Sequence, residues 1–245
     1  MKFTVESDIG KKRAVNEDRA MVLTHDKLQL AVVADGMGGH NAGDVASTMA
    51  VDGFQKAFES APGLHADAKQ QWLEKTVKRV NKEIYHYSLT HEACRGMGTT
   101  IIAALIDQQK ASICHVGDSR AYFITEHQIE QITRDHSYVN VLVETGQISE
   151  EEAQTHPQKN YIIKSLGTEA TIEPDYYQVQ LLPYSYLLIC SDGLSNKITP
   201  SELHSVIVAE ATLQQKGRTL IELANQYGGE DNISFILLEA DREEA

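Results

Sequence analysis

The chain has 245 residues, 42% of them hydrophobic and 23% charged, enough apolar content to bury a full core and an ordinary length for one α/β or layered domain. Its formal net charge of −13 argues against a nucleic-acid partner, since such proteins carry the opposite excess on their contact face. Local phosphate binding remains open to an acidic chain that recruits cations to the site.

The first ten residues carry no long apolar stretch, and no later window approaches the ~20 apolar residues of a membrane span, so the sequence reads as cytoplasmic with no span. "KFTVES" alternates as a strand and breaks at Ile9-Gly10, with further strands near 19–24 and 28–34. Two helices follow, one marked by Ala42, Ala46, Met49, Gly53 and Ala57, the other by Leu73, Val77, Val80, Ile84 and Tyr87. Trp72 sits beside the second stripe and reads as helix packing. "TTIIAALID", "KASICHV", "RAYFIT" and "QIEQIT" are close enough in sequence to pair as an antiparallel meander. Residues 136–168 change character, with short helix signals, Ser149 as an N-cap before "EEEA" and few β-formers, and read as an inserted surface element. Strands are predicted at 175–182 and 185–190, helices at 201–210 and 213–226, and "ISFILLEA" closes the chain as a strand. The grouping of strands and paired helices points to one α+β domain over 1–245, sheet on sheet with helices outside. Cys94, Cys114 and Cys190, odd in number and without C-x-x-C spacing, read as packed thiols.

A lone Asp-Gly after a strand is usually a turn. Here the arrangement recurs. "VVADGMGG" places Asp35 on a glycine-rich loop after a strand, "HVGDSRA" and "LLICSDGLS" do the same for Asp118 and Asp192, "GGEDNIS" puts Asp231 before a strand, and Glu17-Asp18 precede another. A sheet could bring these loops together, and an all-oxygen donor set suits Mg²⁺ or Mn²⁺ better than Zn²⁺. Gly36, Gly38 and Gly39 would let carbonyls and waters approach such an ion.

The segments "SDIGKKRAVNED", "VVADGMGGHNAGDVAS", "GMGTT", "VGDSRAY", "ITRDHS", "LLICSDGLS" and "GGEDNIS" stand in the order found in the protein phosphatase 2C (PPM) family, and the chain most resembles its small bacterial stand-alone members. The resemblance implies a four-layer α/β/β/α sandwich of two antiparallel sheets flanked by helices, and a metal-dependent phosphatase acting on phosphoserine and phosphothreonine in proteins. It implies a binuclear Mn²⁺ or Mg²⁺ centre in which Asp35 bridges, Asp192 and Asp231 hold one ion, and the Gly36 carbonyl with Glu17 or Asp18 serves the other. Asp118 resembles the ligand of a third, looser ion, and Arg13 the clamp on the substrate phosphate. Apart from the resemblance, the break in strand pattern over residues 136–168 suggests a flap beside the active site. Phosphoproteins are the implied substrates and a bacterial Ser/Thr kinase the implied counterpart.

Two ions about 3.5–4 Å apart can bring the pKa of a bridging water toward neutrality and aim it in line at phosphorus, while a guanidinium suits bidentate contact with phosphate oxygens. Where many eukaryotic members have a histidine after Asp-Gly, proposed as the general acid, this chain has Met37, which has no proton to donate; His40 is a substitute to consider there and for substrate contact, a metal-bound water is the alternative, and the general acid stays unassigned. Arg120 in "GDSR" reads as a loop brace through an ion pair, and Ser119 and Ser191 lack the G-x-S-x-G context of nucleophiles. A catalytically silent phosphoprotein binder would be expected to have lost some of these aspartates, and a two-metal esterase or nuclease would be told apart by turnover of nucleotides and phosphodiesters.

Overall fold

The computed structural model describes residues 1–38, 42–61, 64, 68–107 and 110–241. Two antiparallel sheets face each other. The first has the order β1 (Lys2–Asp8), β11 (Ile233–Glu239), β10 (Tyr186–Cys190), β7 (Arg120–Ile124), β8 (Ile129–Gln131). The second runs β2 (Asp18–His25), β3 (Leu28–Met37), β5 (Ile101–Asp107), β6 (Lys110–Val116), β9 (Asp175–Gln180), with β4 (Gly98–Thr99) pairing the end of β3.

Period-two alternation sorts each strand between layers. In β3, Ala31 and Val33 face the other sheet together with Ile102, Ile113, Ile189 and Ile236, while Leu30, Val32 and Ala34 face α1 (Ala42–Glu59) and α2 (Lys69–Thr90). On the far side Leu188, Cys190, Phe235 and Leu237 pack under α6 (Pro200–Val208) and α7 (Leu213–Gln226). Both faces of the central strands are therefore apolar, and each fully buried aliphatic side chain contributes about 1.5–3 kcal/mol. The layering is the expected α/β/β/α sandwich.

Local signals set the helix starts. Thr199 and Thr212 close capping boxes with Glu202 and Gln215. Ser137 caps α3 (Tyr138–Glu144), and Ser149 closes a box with Glu152 ahead of α4 (Glu150–Thr155), as its position before "EEEA" predicts. Trp72 meets Phe54 and Phe58 edge-on between α1 and α2. Cys94, Cys114 and Cys190 are free and buried. Among the described residues no helix is long and apolar enough to cross a membrane.

Two expectations need correction. The strands from 99 to 133 do not form one meander: β6 pairs with β5 and β9, whereas β7 pairs with β10 and β8 in the other sheet. The chain changes sheets at Gly117, whose φ of +114° is disfavoured for residues with a Cβ and whose added Cβ would collide with Thr100. Nor does β3 stop before Asp35. It continues through Met37 because Gly98 and Thr99, distant in sequence, supply a pairing partner.

His115 on β6 is fully buried and neither ring nitrogen has a hydrogen-bond partner. Burial, then the neighbouring His136, pushes its pKa down to about 3; Asp175 opposes and Lys164 adds to the shift. An unfolded histidine titrates near 6.5, so the unfolded chain takes up more protons between those values and stability is lost as pH falls below about 6.5. His115→Leu is expected to shrink the stability difference between pH 7 and pH 5 by about 2 kcal/mol relative to wild type. Urea melts of both proteins at the two pH values measure it, and an unchanged difference would contradict it.

Candidate active site

Sheet ends and sheet crossings deliver the acidic side chains to one edge of the sandwich. Asp18 opens β2 directly opposite Asp35 on β3. Asp118 lies in the crossing from β6 to β7, Asp192 begins the single-turn α5 (Asp192–Ser195) after β10, and Asp231 precedes β11. Arg13 and Glu17 lie on the connection from β1 to β2.

The Asp35 backbone is pinned from the "GMGTT" segment: Thr99 Oγ1 and the Thr100 N–H donate to its carbonyl at 2.9 and 2.8 Å, and its own N–H donates to Thr100 Oγ1 at 3.0 Å. Gly36 is required for packing. A Cβ there would overlap the Gly43 carbonyl of α1, which the helix brings against the strand end. Asp18 Oδ2 accepts from Ser191 Oγ at 2.7 Å. Asn196 Nδ2 donates to Asp192 Oδ2 at 2.9 Å. Asp231 Oδ1 accepts from the Asn232 N–H and Oδ2 from the Arg13 guanidinium, both at 2.8 Å. Asn232 also ties down the β1–β2 connection, donating to the Ile9 and Val15 carbonyls and accepting from the Glu17 N–H.

Asp18 and Asp118 are buried, Glu17, Asp35, Asp192 and Asp231 are half-buried, and Arg13 is exposed at the mouth. Burial, and then the charges of Asp18, Asp192, Asp118 and Asp231, holds the Asp35 carboxyl well above the usual carboxylate range. Burial is also the largest cause at the others, raising Asp18 to about 7, Asp192 to about 6 and Asp118 well above normal. Glu17 is raised by burial against the opposing pull of Arg13. Like charges act strongly on one another here because protein keeps water from screening them, which favours the protonated forms.

The donor set fits a hard divalent ion. It consists of carboxylate and carbonyl oxygens, and two of them, Glu17 Oε1 and Asp118 Oδ1, are buried without a hydrogen-bond partner. Among the described residues no group of three or more acidic, histidine or cysteine side chains is drawn together closely enough to hold a metal ion as the side chains stand. The carboxylates instead face one another across the sheet edge, with Arg13 and Asn196 on two of them.

Glu17, Asp18, Asp35, Gly36, Asp118, Asp192, Asp231 and Arg13 thus share one edge of the fold. His40 lies outside the described residues. Arg120 makes the expected brace, a forked pair with Asp135 through Nε at 3.0 and 3.1 Å and a terminal nitrogen at 2.7 Å. Thr99 and Thr100 orient Asp35 from the "GMGTT" segment, whereas Ser191, Asn196 and Asn232 orient the acidic residues without any distinct motif of their own. For these three, adjacency to the Asp motifs is the only signal the sequence carries.

The family model for protein phosphatase 2C matches residues 10–233. The serine/threonine phosphatase stp of Listeria monocytogenes is 44% identical over 237 residues, covering 96% of this chain and 94% of its own length. The crystal structure of serine/threonine phosphatase Stp1 from Staphylococcus aureus superposes with a TM-score of 0.94 at 41% identity, covering 100% of this chain and 95% of that one. The catalytic domain of the serine/threonine protein phosphatase PstP, solved with two manganese ions, superposes with a TM-score of 0.83 at 31% identity over 96% of each chain.

Proposed function

Since the chain belongs to the protein phosphatase 2C family and is a protein serine/threonine phosphatase, we propose that Asp18, Asp35, Asp192 and Asp231, with Glu17 and the Gly36 carbonyl, hold two divalent cations for its reaction. The observation that carries this reading is the convergence of buried and half-buried carboxylates on one sheet edge, where burial and then one another's charge raise their affinity for protons. Such a group takes up positive charge. Mn²⁺ is the first candidate, because a relative with the same fold was solved with two manganese ions, and Mg²⁺ the second.

Cations at this site would supply Lewis acidity that brings a water's pKa toward neutrality, together with charge that offsets the phosphate's. The chain's residues supply position. Asp35, fixed through its backbone by Thr99 and Thr100, would help to hold both ions. Arg13, exposed at the mouth, has N–H groups in a fork matched to two equatorial phosphate oxygens. Met37 cannot protonate the leaving oxygen, so that proton comes from another group. We take residues 1–245 as one catalytic domain acting on phosphoproteins, with a cognate Ser/Thr kinase as its counterpart and the cytoplasm as its place. Phosphopeptide hydrolysis with Mn²⁺, with Mg²⁺ and with EDTA tests the reading; activity that persists in EDTA would overturn it.

Asp118 would hold a third, more hydrated cation. Asp118→Ala is then expected to stay folded and keep two tightly bound cations while kcat falls at least ~10-fold, about 1.4 kcal/mol of barrier. Calorimetric metal counting, a melting curve and phosphopeptide kinetics on the variant decide it. Wild-type turnover or a collapsed Tm would favour a turn aspartate.

Residues 136–168 are read as a flap over the phosphopeptide. They present Tyr161, Ile163 and Val141 as exposed apolar side chains, a surface a peptide could use and a small aryl phosphate could not. Tyr161→Ser with Ile163→Ser is expected to raise the phosphopeptide KM about threefold or more and leave aryl phosphate kinetics within about twofold. Equal effects on both substrates would contradict it.

A further inference from the structure

Residues 136–168 meet the body of the protein at a small polar cluster beside β6 and β9. The His136 N–H donates to the Gly117 carbonyl at 2.8 Å, and the Gly117 N–H donates back to His136 Nδ1 at 3.0 Å. One residue therefore closes a two-bond ring on Gly117. With Nδ1 as acceptor, the neutral ring carries its proton on Nε2, which faces Asp175 Oδ2 at 3.2 Å. Lys164 Nζ stands 3.7 Å from Asp175 and donates to the Glu173 carbonyl at 3.0 Å. The two ends of the excursion come together here: the Ile163 N–H donates to the His136 carbonyl at 2.9 Å, and the Tyr138 N–H to the Tyr161 carbonyl at 2.8 Å. His115 stacks on the His136 ring at 4.7 Å and fills the space behind it.

Gly117 is followed by Asp118, which is 8% exposed and whose Oδ1 has no partner. No protein hydrogen bond to that oxygen aims it. Its direction comes from the backbone at 117–119, held on one side by the Ser119–Thr100 hydroxyl pair at 2.8 Å and on the other by His136.

We infer that His136 is a positioning residue for Asp118, setting the direction of that carboxylate through Gly117 and so coupling the base of the 136–168 segment to the candidate centre. The inference rests on the reading of Asp118 as part of that centre. A shift of the segment reaches the carboxylates through one imidazole, without contact between the segment's tip and the acidic cluster.

Two near-isosteric substitutions divide the ring's two bonds. In His136→Asn the side-chain oxygen stands near the Nδ1 position and can still accept from Gly117. In His136→Gln the terminal amide reaches the Nε2 position and can still donate to Asp175, while the Gly117 acceptor is gone. With the Mn²⁺-loaded full chain, His136→Gln is expected to speed exchange of the Gly117 amide at least ~10-fold and to lower kcat toward the Asp118→Ala level with KM within about twofold. His136→Asn should recover most of both. Asp175→Asn leaves the ring and its Gly117 bond in place and should not change Gly117 exchange. Equal behaviour of the Asn and Gln variants, or accelerated Gly117 exchange in Asp175→Asn, would overturn the inference. If Asp118→Ala itself turns over like wild type, the reading of Asp118 fails, and Gly117 exchange still decides the clamp. If Asp118→Ala is impaired while Gly117 exchange is unmoved in His136→Gln, the clamp fails alone.

Discussion

Asp35→Asn is expected to reduce kcat/KM by ~10³ or more, about 4 kcal/mol of transition-state stabilisation, and at the same time to raise the Tm of the protein in EDTA. The two effects share one cause. Asp35 stands where the charges of Asp18, Asp192, Asp118 and Asp231 all act on it, and burial together with those charges holds its pKa far above that of an unfolded aspartate. A carboxyl whose folded pKa is raised costs stability once the unfolded group has ionised, so the cost is absent near pH 4 and grows as pH rises toward the folded value. The amide removes that charge without changing shape. Without cations, the variant should therefore melt higher than wild type at pH 7 and no higher at pH 4. With cations, it lacks the central negative charge and turnover is lost. Near wild-type turnover at saturating Mn²⁺ would sink the assignment of Asp35, and a lower Tm in EDTA at pH 7 would sink the electrostatic account.

The parts of this site legible in the sequence are those encoded by neighbours in the chain. An apolar run ending in Asp-Gly or Gly-Asp announces a strand end with a carboxylate on it, and Asp35, Asp118 and Asp192 were all visible in that way. What stayed hidden depends on pairs far apart in sequence. The extension of β3 through Met37 needs Gly98 and Thr99, more than sixty residues on, and no periodicity around Asp35 marks it. The change of sheet at Gly117 was masked because β6 and β7 each read as ordinary strands; only the partners on either side, β9 and β10, separate them. Ser191 shows the same limit. It lacks the elbow motif of a nucleophile, yet it donates to Asp18, 173 positions away. Gly36 carried a reason related to the one the sequence suggested, close approach, but what approaches is the backbone of α1.

Arg13→Ala is expected to lower kcat/KM on phosphopeptides by ~10²-fold, about 2.7 kcal/mol, and to tighten Mn²⁺ binding. The guanidinium has two claims on it. It donates to Asp231 Oδ2 at 2.8 Å, and its side chain is 47% exposed, open enough to turn toward a phosphate arriving from solvent. A fork that grips two phosphate oxygens contributes charge-assisted bonds of the size quoted, and their loss should appear mainly in KM if the phosphate is held equally in ground and transition states. Against a cation the same group works in the opposite sense. Its positive charge beside Asp231 repels a second positive charge bound there, by about 1 kcal/mol at so exposed a position, or about fivefold in Kd. Arg13→Lys separates the two roles: the charge stays and Mn²⁺ affinity should match wild type, while the planar fork is gone and kcat/KM should still fall ~10-fold. Calorimetric Mn²⁺ titration alongside phosphopeptide kinetics on the three proteins measures both. Weaker Mn²⁺ binding in Arg13→Ala would remove the competition between guanidinium and cation, and kcat/KM within twofold of wild type would remove Arg13 from the phosphate.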